Sequence, residues 1–261
     1  MCERTCGLKW ANAVTHLLKR SALPGLVSIS FAGGATQAFA YRPFDGTDAA
    51  VAEAGQLEIE LGPAEFSWEG SDRTLVAPNL RLNYGFSERW EFTLEGLVAY
   101  DLSSGSNGTS MVGNEALLKG VLREGSLQDK SGPSIATEFG LLLPGINDEH
   151  GTGGTLTGIV SQRWPWMTAH LNIEATVTRE QRGDLFLDVI VEGPHDWTVR
   201  PVAEVFHEQE FGVFRETSGL LGAIWQVRDN IAIDAGFRRA QLNDRAVNEV
   251  RAGVTFSFPL K

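Results

Sequence analysis

Leu80-Arg81-Leu82-Asn83-Tyr84-Gly85-Phe86-Ser87-Glu88-Arg89-Trp90-Glu91-Phe92-Thr93-Leu94-Glu95 is the stretch that decides the architecture. Leu80, Leu82, Tyr84 and Phe86 alternate with Arg81 and Asn83. After Ser87-Glu88-Arg89 the alternation resumes, with Trp90, Phe92 and Leu94 set against Glu91, Thr93 and Glu95. A strand turns successive side chains to opposite faces, so each run has one apolar and one polar side. A helix would space its apolar residues near 3.6 apart, and these do not. The polar residues between the runs suit a tight hairpin.

Outward from this hairpin the same period of two recurs. Leu57, Ile59 and Leu61 alternate with Glu58 and Glu60, and near the C-terminus Val250, Ala252, Val254, Phe256 and Phe258 oppose Glu249, Arg251, Gly253, Thr255 and Ser257. The pattern predicts twelve strands: 56–63, 75–86, 90–100, 115–123, 133–143, 154–164, 168–178, 185–192, 197–207, 217–227, 231–239 and 248–258. Most have about the 9–11 residues that a tilted strand needs to cross a bilayer. The fourth and eighth are the least regular, because Leu117, Val121, Phe186 and Ile190 stand on the polar side. An even count lets the last strand pair with the first, which satisfies every backbone group in lipid. The expected fold is therefore all-β, a transmembrane antiparallel up-and-down barrel of about 12 strands.

Loops and aromatic residues point the same way. Ser87-Glu88-Arg89, Trp164-Pro165-Trp166-Met167, Gly193 to Asp196 and Arg228-Asp229-Asn230 are tight, while Glu124 to Gly132 is longer. At the other end lie Asp101 to Asn114, Pro144 to Gly153 and Glu208 to Glu216, rich in Gly, Ser and Asn. Short turns at one end and long loops at the other are expected of an outer-membrane barrel. Trp90, Trp164, Trp166, Trp197 and Trp225 all fall beside the short turns, where an interfacial girdle would sit. Tryptophans filling the core of a soluble sandwich have no reason to gather at one end.

The chain has 261 residues and a formal charge of −11. Arg4, Lys9, Lys19 and Arg20 precede an apolar run from Ala22 to Ala35, and Ala38-Phe39-Ala40 offers small residues for cleavage. This predicts a signal peptide over residues 1–40 and a barrel over 41–261, in the outer membrane of a Gram-negative bacterium. Cleavage takes away four bases and one acid, which deepens the charge to −14, and it removes both Cys2 and Cys6. The mature chain then has no thiol for a disulfide or metal. Its acidity repels phosphates and excludes nucleic acid as a partner.

Three stretches resemble one family: Tyr84-Gly85-Phe86-Ser87-Glu88-Arg89-Trp90-Glu91, Arg200-Pro201-Val202-Ala203-Glu204, and Ser218 to Arg239, the last with Asp229-Asn230 before Ile231-Ala232-Ile233-Asp234-Ala235-Gly236. The family is the outer-membrane transporters associated with the meta-cleavage pathway of phenol degradation. These motifs mark turns and strand faces, and no catalytic residue comes with them. The resemblance implies passage of small, aromatic or hydrophobic compounds. The last strand, ending in outward Phe256 and Phe258, resembles the sorting signal read by the barrel-assembly machinery. Outer-membrane lipids are the other expected partner.

The polar register should line the interior. It carries Glu58, Glu60, Arg81, Glu91, Glu95, Lys119, Arg123, Glu138, Arg163, Glu174, Asp188, Arg200, Glu204, Asp234, Arg238, Glu249 and Arg251. Acids predominate. These charges can line a water-filled, cation-preferring pore for a small solute, or cross-pair and fill a narrow lumen, which would leave a structural or surface-interaction barrel. A membrane-embedded lipid hydrolase is a third reading. For it His207 at the loop-side rim needs a nucleophile, and Ser218 is the candidate across the hairpin. Asp148-Glu149-His150 has ligand types for a weak metal site, or is a solvated polar loop. Arg182-Gly183-Asp184 matches an adhesion tripeptide in an expected outer loop, and His170 reads as a hydrogen-bonded lumen residue. The expectation is a passive channel, not an enzyme, with no cofactor. Mass analysis of the membrane-inserted protein should find Tyr41 as its first residue; retention of residues 1–40 would refute the processing.

Overall fold

The computed structural model describes residues 42–103 and 108–260. The signal-peptide expectation lies outside them. Twelve antiparallel strands form one closed barrel: β1 (Gln56–Glu69), β2 (Asp72–Ser87), β3 (Trp90–Asp101), β4 (Thr109–Arg123), β5 (Ser134–Leu142), β6 (Gly153–Trp164), β7 (Met167–Val177), β8 (Gly183–Glu192), β9 (Val199–Glu210), β10 (Phe214–Arg228), β11 (Ile231–Leu242) and β12 (Arg245–Pro259). Each pairs with the next, and β1 pairs with β12, so the sheet has no free edge. The hairpin from Leu80 to Glu95 is in register as expected, with Leu82 opposite Leu94 and Arg81 opposite Glu95.

Alternation sorts the two surfaces. Leu94, Ile173, Leu221, Ile233 and Phe237 are exposed on the outside, where lipid would cover them. Glu91, Glu204, Asp234 and Arg251 are buried inside. The girdle tryptophans Trp90, Trp164, Trp166, Trp197 and Trp225 are exposed at the turn end, and Trp164 stacks on Trp166 at 6.3 Å.

Most strands run further than the sequence pattern predicts, although β5 is shorter and β7 is shifted by one residue. β1 continues past Pro63 because a register shift between Leu61 and Ala64 takes the proline out of the ladder. Pro78 is handled the same way, between Val76 and Asn79. Proline has no N–H to donate, so a bulge is the place where a strand tolerates it. Glu208 to Glu216 is not a loop: β9 and β10 extend until only Phe211 to Val213 remain, because inward Glu208 and Glu210 keep the alternation and pair with Phe186 and Asp184 of β8. Loop length is accordingly less segregated than expected. The longest turn-end connection, after β4, holds a short 3-10 turn at Ser126–Gln128. A further shift between Val121 and Arg123 moves Arg123 off the inward face. Its guanidinium caps the carbonyls of Ser131 and Pro133, not the lumen.

Arginine at Leu94, Ile173 or Ile233 should cost about 2–4 kcal/mol in a lipid refolding titration, since a charge at the lipid face is desolvated without a partner. Glu174→Gln should leave insertion intact. Equal losses on both faces would contradict this register.

Candidate functional site

Residues 42–55 precede β1 and belong to no strand, yet they are largely buried. They thread the lumen from its turn end. Gly55 N–H donates to the Gly85 carbonyl at 2.6 Å, at the turn end of β2. Ala52 N–H donates to Glu91 Oε2 at 2.7 Å and Ala49 N–H to Ser161 Oγ at 2.9 Å. Higher up, the amides of Asp45 and Gly46 both donate to Glu204 Oε1, at 2.8 and 2.9 Å. Arg251 Nη1 donates to the Pro43 carbonyl at 2.8 Å, and Arg42 reaches Glu65 at 2.7 Å. A buried backbone amide left without a partner is costly, so a segment outside the ladder must find partners elsewhere. Here the polar side chains of the wall provide them.

The segment is kept out of the sheet by its own sequence. Pro43 lacks a donor, and Asp48 Oδ1 accepts from Ala50 N–H at 2.7 Å in an Asx turn. Its bulk needs room. At Gly85 a side chain would collide with the Ala52 and Glu53 carbonyls, and at Gly253 with the Arg42 guanidinium. Apolar contacts complete the plug. Phe44 packs on Val202, Leu220, Ile224 and Ala232, while Ala49 joins Ala136, Ile159 and Leu127. Sequence reasoning missed this segment. The signal was present: Leu117, Val121 and Ile190, which blurred the polar register, are buried inside a lumen that is not purely aqueous.

The inward charges expected from the register form cross-wall clusters. Lys119 and Glu91 are fully buried and 3.7 Å apart, and Lys119 Nζ also donates to Thr47 Oγ1 at 2.9 Å. Arg81 lies 3.1 Å from Glu95 and 3.6 Å from Glu138. Arg238 gathers Asp45, Glu216 and Glu249 within 3.6 Å. Arg42 stands 3.8 Å from Asp234, and Arg200 3.4 Å from Glu192. Glu174 accepts from Thr157 at 2.6 Å, Glu60 from Asn83 at 2.7 Å and Asp188 from Asn172 at 3.0 Å. Glu58 is buried on the same face, and Arg163 pairs in the ladder with inward Thr168. Burial by itself would raise the Asp45 carboxyl, but Arg251 and Arg238 outweigh it and hold Asp45 below the ordinary range.

Only the turn-end half is filled. In the loop-end half a cavity of about 380 Å³ is bounded by Arg42, Phe44, Asp45, Glu60, Val76 and Leu97 among others. A neighbouring cavity of about 150 Å³ shares Asp45, Gly46, Arg81, Glu95 and Glu115 with it and adds Leu117, Glu138, Glu174 and Phe186. Together they set eight carboxylates (Asp45, Glu60, Glu65, Glu95, Glu115, Glu138, Glu174, Glu249) against four guanidiniums. The residues at the junction of plug and cavity are the site.

The other candidates are not brought together. His207 points outward and its Nδ1 meets Thr217 Oγ1 at 2.9 Å, whereas Ser218 is buried on the inward face, so the pair is split by the wall. Glu149 is taken by the Gly113 amide at 2.7 Å and by Arg179 at 3.6 Å. Arg182-Gly183-Asp184 is not displayed on a loop: Gly183 begins β8 and Asp184 is buried inward, opposite Glu210. His170 lies in the lumen between Ser161 Oγ (2.8 Å) and Glu192 Oε1 (3.0 Å).

No family model and no curated protein matches the chain. Solved structures do match. The outer membrane channel from Pseudomonas putida F1 is similar with a TM-score of 0.58 at 9% identity, over 88% of this chain and 100% of that one. The NanC porin gives 0.56 at 8% identity, over 77% and 98%. The KdgM porin gives 0.52 at 12% identity, over 77% and 99%. At such identities the likeness is one of fold. With its closed ladder and apolar outer belt, the chain is a transmembrane β-barrel with the fold of outer-membrane channels.

Replacing Lys119 by Met should destabilise the barrel by about 3–5 kcal/mol, because Glu91 would keep a buried charge without its cation. Adding Glu91→Gln should recover most of the loss in urea unfolding. A single variant as stable as the parent would show that the pair is not part of the plug's seat.

Proposed function

We propose that this protein is a passive outer-membrane channel for small molecules, closed at its turn end by residues 42–55. The observation that carries the reading is the cavity in the loop-end half, whose floor is a segment held by side chains and not by strand pairing. Such a segment can shift without opening the barrel wall. Each of its bonds to the wall contributes only about 0.5–3 kcal/mol net, the upper part of the range where a carboxylate or guanidinium takes part. Their number and the apolar contacts of Phe44 and Ala49 keep the closed state dominant. Cleavage after Ala40 would leave the whole plug on the mature chain.

The solute class follows from the lining. Carboxylates outnumber guanidiniums two to one around the two cavities, and like charges in a pore concentrate the opposite ion. Phe44, Val76, Leu97, Leu117 and Phe186 add apolar surface to the same walls. A small cationic or neutral solute with an aromatic or hydrophobic part fits both features, and the resemblance to transporters of the phenol meta-cleavage pathway supports the aromatic choice. The tight packing of the turn-end half favours a second reading, a structural barrel whose plug never leaves.

Planar-bilayer recordings separate the two. The parent should show small, cation-selective conductance. Deleting residues 43–52 should raise it severalfold, and Glu95→Gln with Glu174→Gln should lower the preference for cations. If the deletion variant runs as a folded barrel on unheated gels yet passes no ions, the structural reading takes its place.

A further inference from the structure

The outside of the barrel is uneven at its loop end. Among the described residues no strand carboxylate points outward, and the outward charges at that end are all basic: Arg73 on β2, Arg215 on β10 and Arg239 on β11, with His207 on β9. The register sets Arg73, Trp68, Asn248 and Arg239 side by side in one row across β2, β1, β12 and β11. With strands ~4.8 Å apart, the two arginines stand about 14 Å apart along it. Both are held in place. Arg239 Nη1 donates to Asn248 Oδ1 at 2.9 Å, and Arg73 Nη1 donates to the Gly70 and Asp72 carbonyls at 2.7 and 2.8 Å. Neither forms an ion pair with a described carboxylate.

Directly below that row the surface is apolar. Leu75, Phe66, Val250, Phe237 and Leu221 follow one another across the same strands. Trp68 stacks on Phe66 at 5.9 Å and meets Phe237 at 6.3 Å. Above it, Arg215 and the His207–Thr217 pair extend the polar zone. The opposite side differs. On β4, β5, β7 and β8 the outward residues near this end are Met111, Leu141, Val177 and Leu185, with no base among them.

We infer that this face, from β9 through β12 to β1 and β2, binds a phosphate-bearing lipid of the outer leaflet. Its acyl chains lie on Phe66, Phe237 and Leu221, and its phosphates meet Arg73 and Arg239. An arginine fork matches two phosphate oxygens at once, and at the edge of the hydrocarbon the pairing is less screened than in water. Because no described carboxylate pairs with these arginines, their charge is open to an anion from outside the chain. The 14 Å spacing suits a head group phosphorylated at both ends better than one with a single phosphate.

Native mass spectrometry of the detergent-solubilised protein with added bisphosphorylated lipid A tests this. One lipid should be retained, and the Arg73→Gln, Arg239→Gln double variant should bind at least about tenfold more weakly, since hydrogen bonds to charged groups are the strong ones. Dephosphorylated lipid A should bind the parent equally weakly, a comparison that needs no variant to fold. Lysine at both positions should restore only part of the binding, because it lacks the fork. Inorganic phosphate alone should not be retained. Equal binding of both lipid forms, equal binding of phosphatidylglycerol, or unchanged binding by the glutamine variant would overturn the site.

Discussion

A backbone amide in hydrocarbon has no water to bond with, and this chain's architecture follows from that shortage. Every N–H and C=O in the membrane needs a partner from the protein. A closed ladder supplies them all, which is why β1 returns to β12 and no edge remains. Closure then dictates where side chains go. With a period of two, half of each strand must meet lipid and half must meet the lumen. The charged half is large, so the interior becomes a lattice of carboxylates and guanidiniums whose members lie within 4 Å of one another across the wall, as at Arg238 and Arg81.

The same shortage acts a second time inside the barrel. Residues 42–55 run inside the barrel, outside the ladder of strand hydrogen bonds. Their amides are met by Glu204, Asn172, Ser161 and Glu91, wall residues that stand in for a neighbouring strand. Buried carboxylates are expensive unless they gain such bonds. Wall and plug thus stabilise each other: each carboxylate that holds an amide is itself relieved of part of its desolvation. One end of the lumen is closed by this exchange, and the other keeps a cavity lined by charges of plug and wall together, Arg42, Asp45, Arg238 and Arg251 among them.

Much of this was legible in single residues. Leu80 to Glu95 read as a hairpin because alternation survives any detail of packing, and all twelve strands were found by that rule. The errors have common causes. β1 was expected to end at Pro63, but a bulge lets the ladder with β12 resume at Ala64. Arg123 was assigned to the lumen because a one-residue shift at the end of β4 is invisible to a strict period of two. Glu208 to Glu216 looked like a loop since its polar residues resemble turn chemistry, whereas inward carboxylates are normal in this barrel. The deeper miss was the plug. Inward Gly85 and Gly253 leave it room, and inward Leu117, Val121 and Ile190 show that the lumen is not purely aqueous, but neither feature says which segment fills it.

By itself the sequence determined the class of fold, the number of strands, the face that most strand side chains take and the acidic balance of the interior. These depend on local alternation and on composition, which neighbours along the chain carry. Only the tertiary structure decided that residues 42–55 turn back into the lumen, that Arg251 and Arg238 meet over Asp45, and that Arg73 and Arg239 share one row. Those outcomes depend on contacts between residues up to about two hundred positions apart, as Arg42 and Ala252 are, and on the register in which the barrel closes. Register is a property of all twelve strands at once, because one slip on any of them would turn its charges out to lipid.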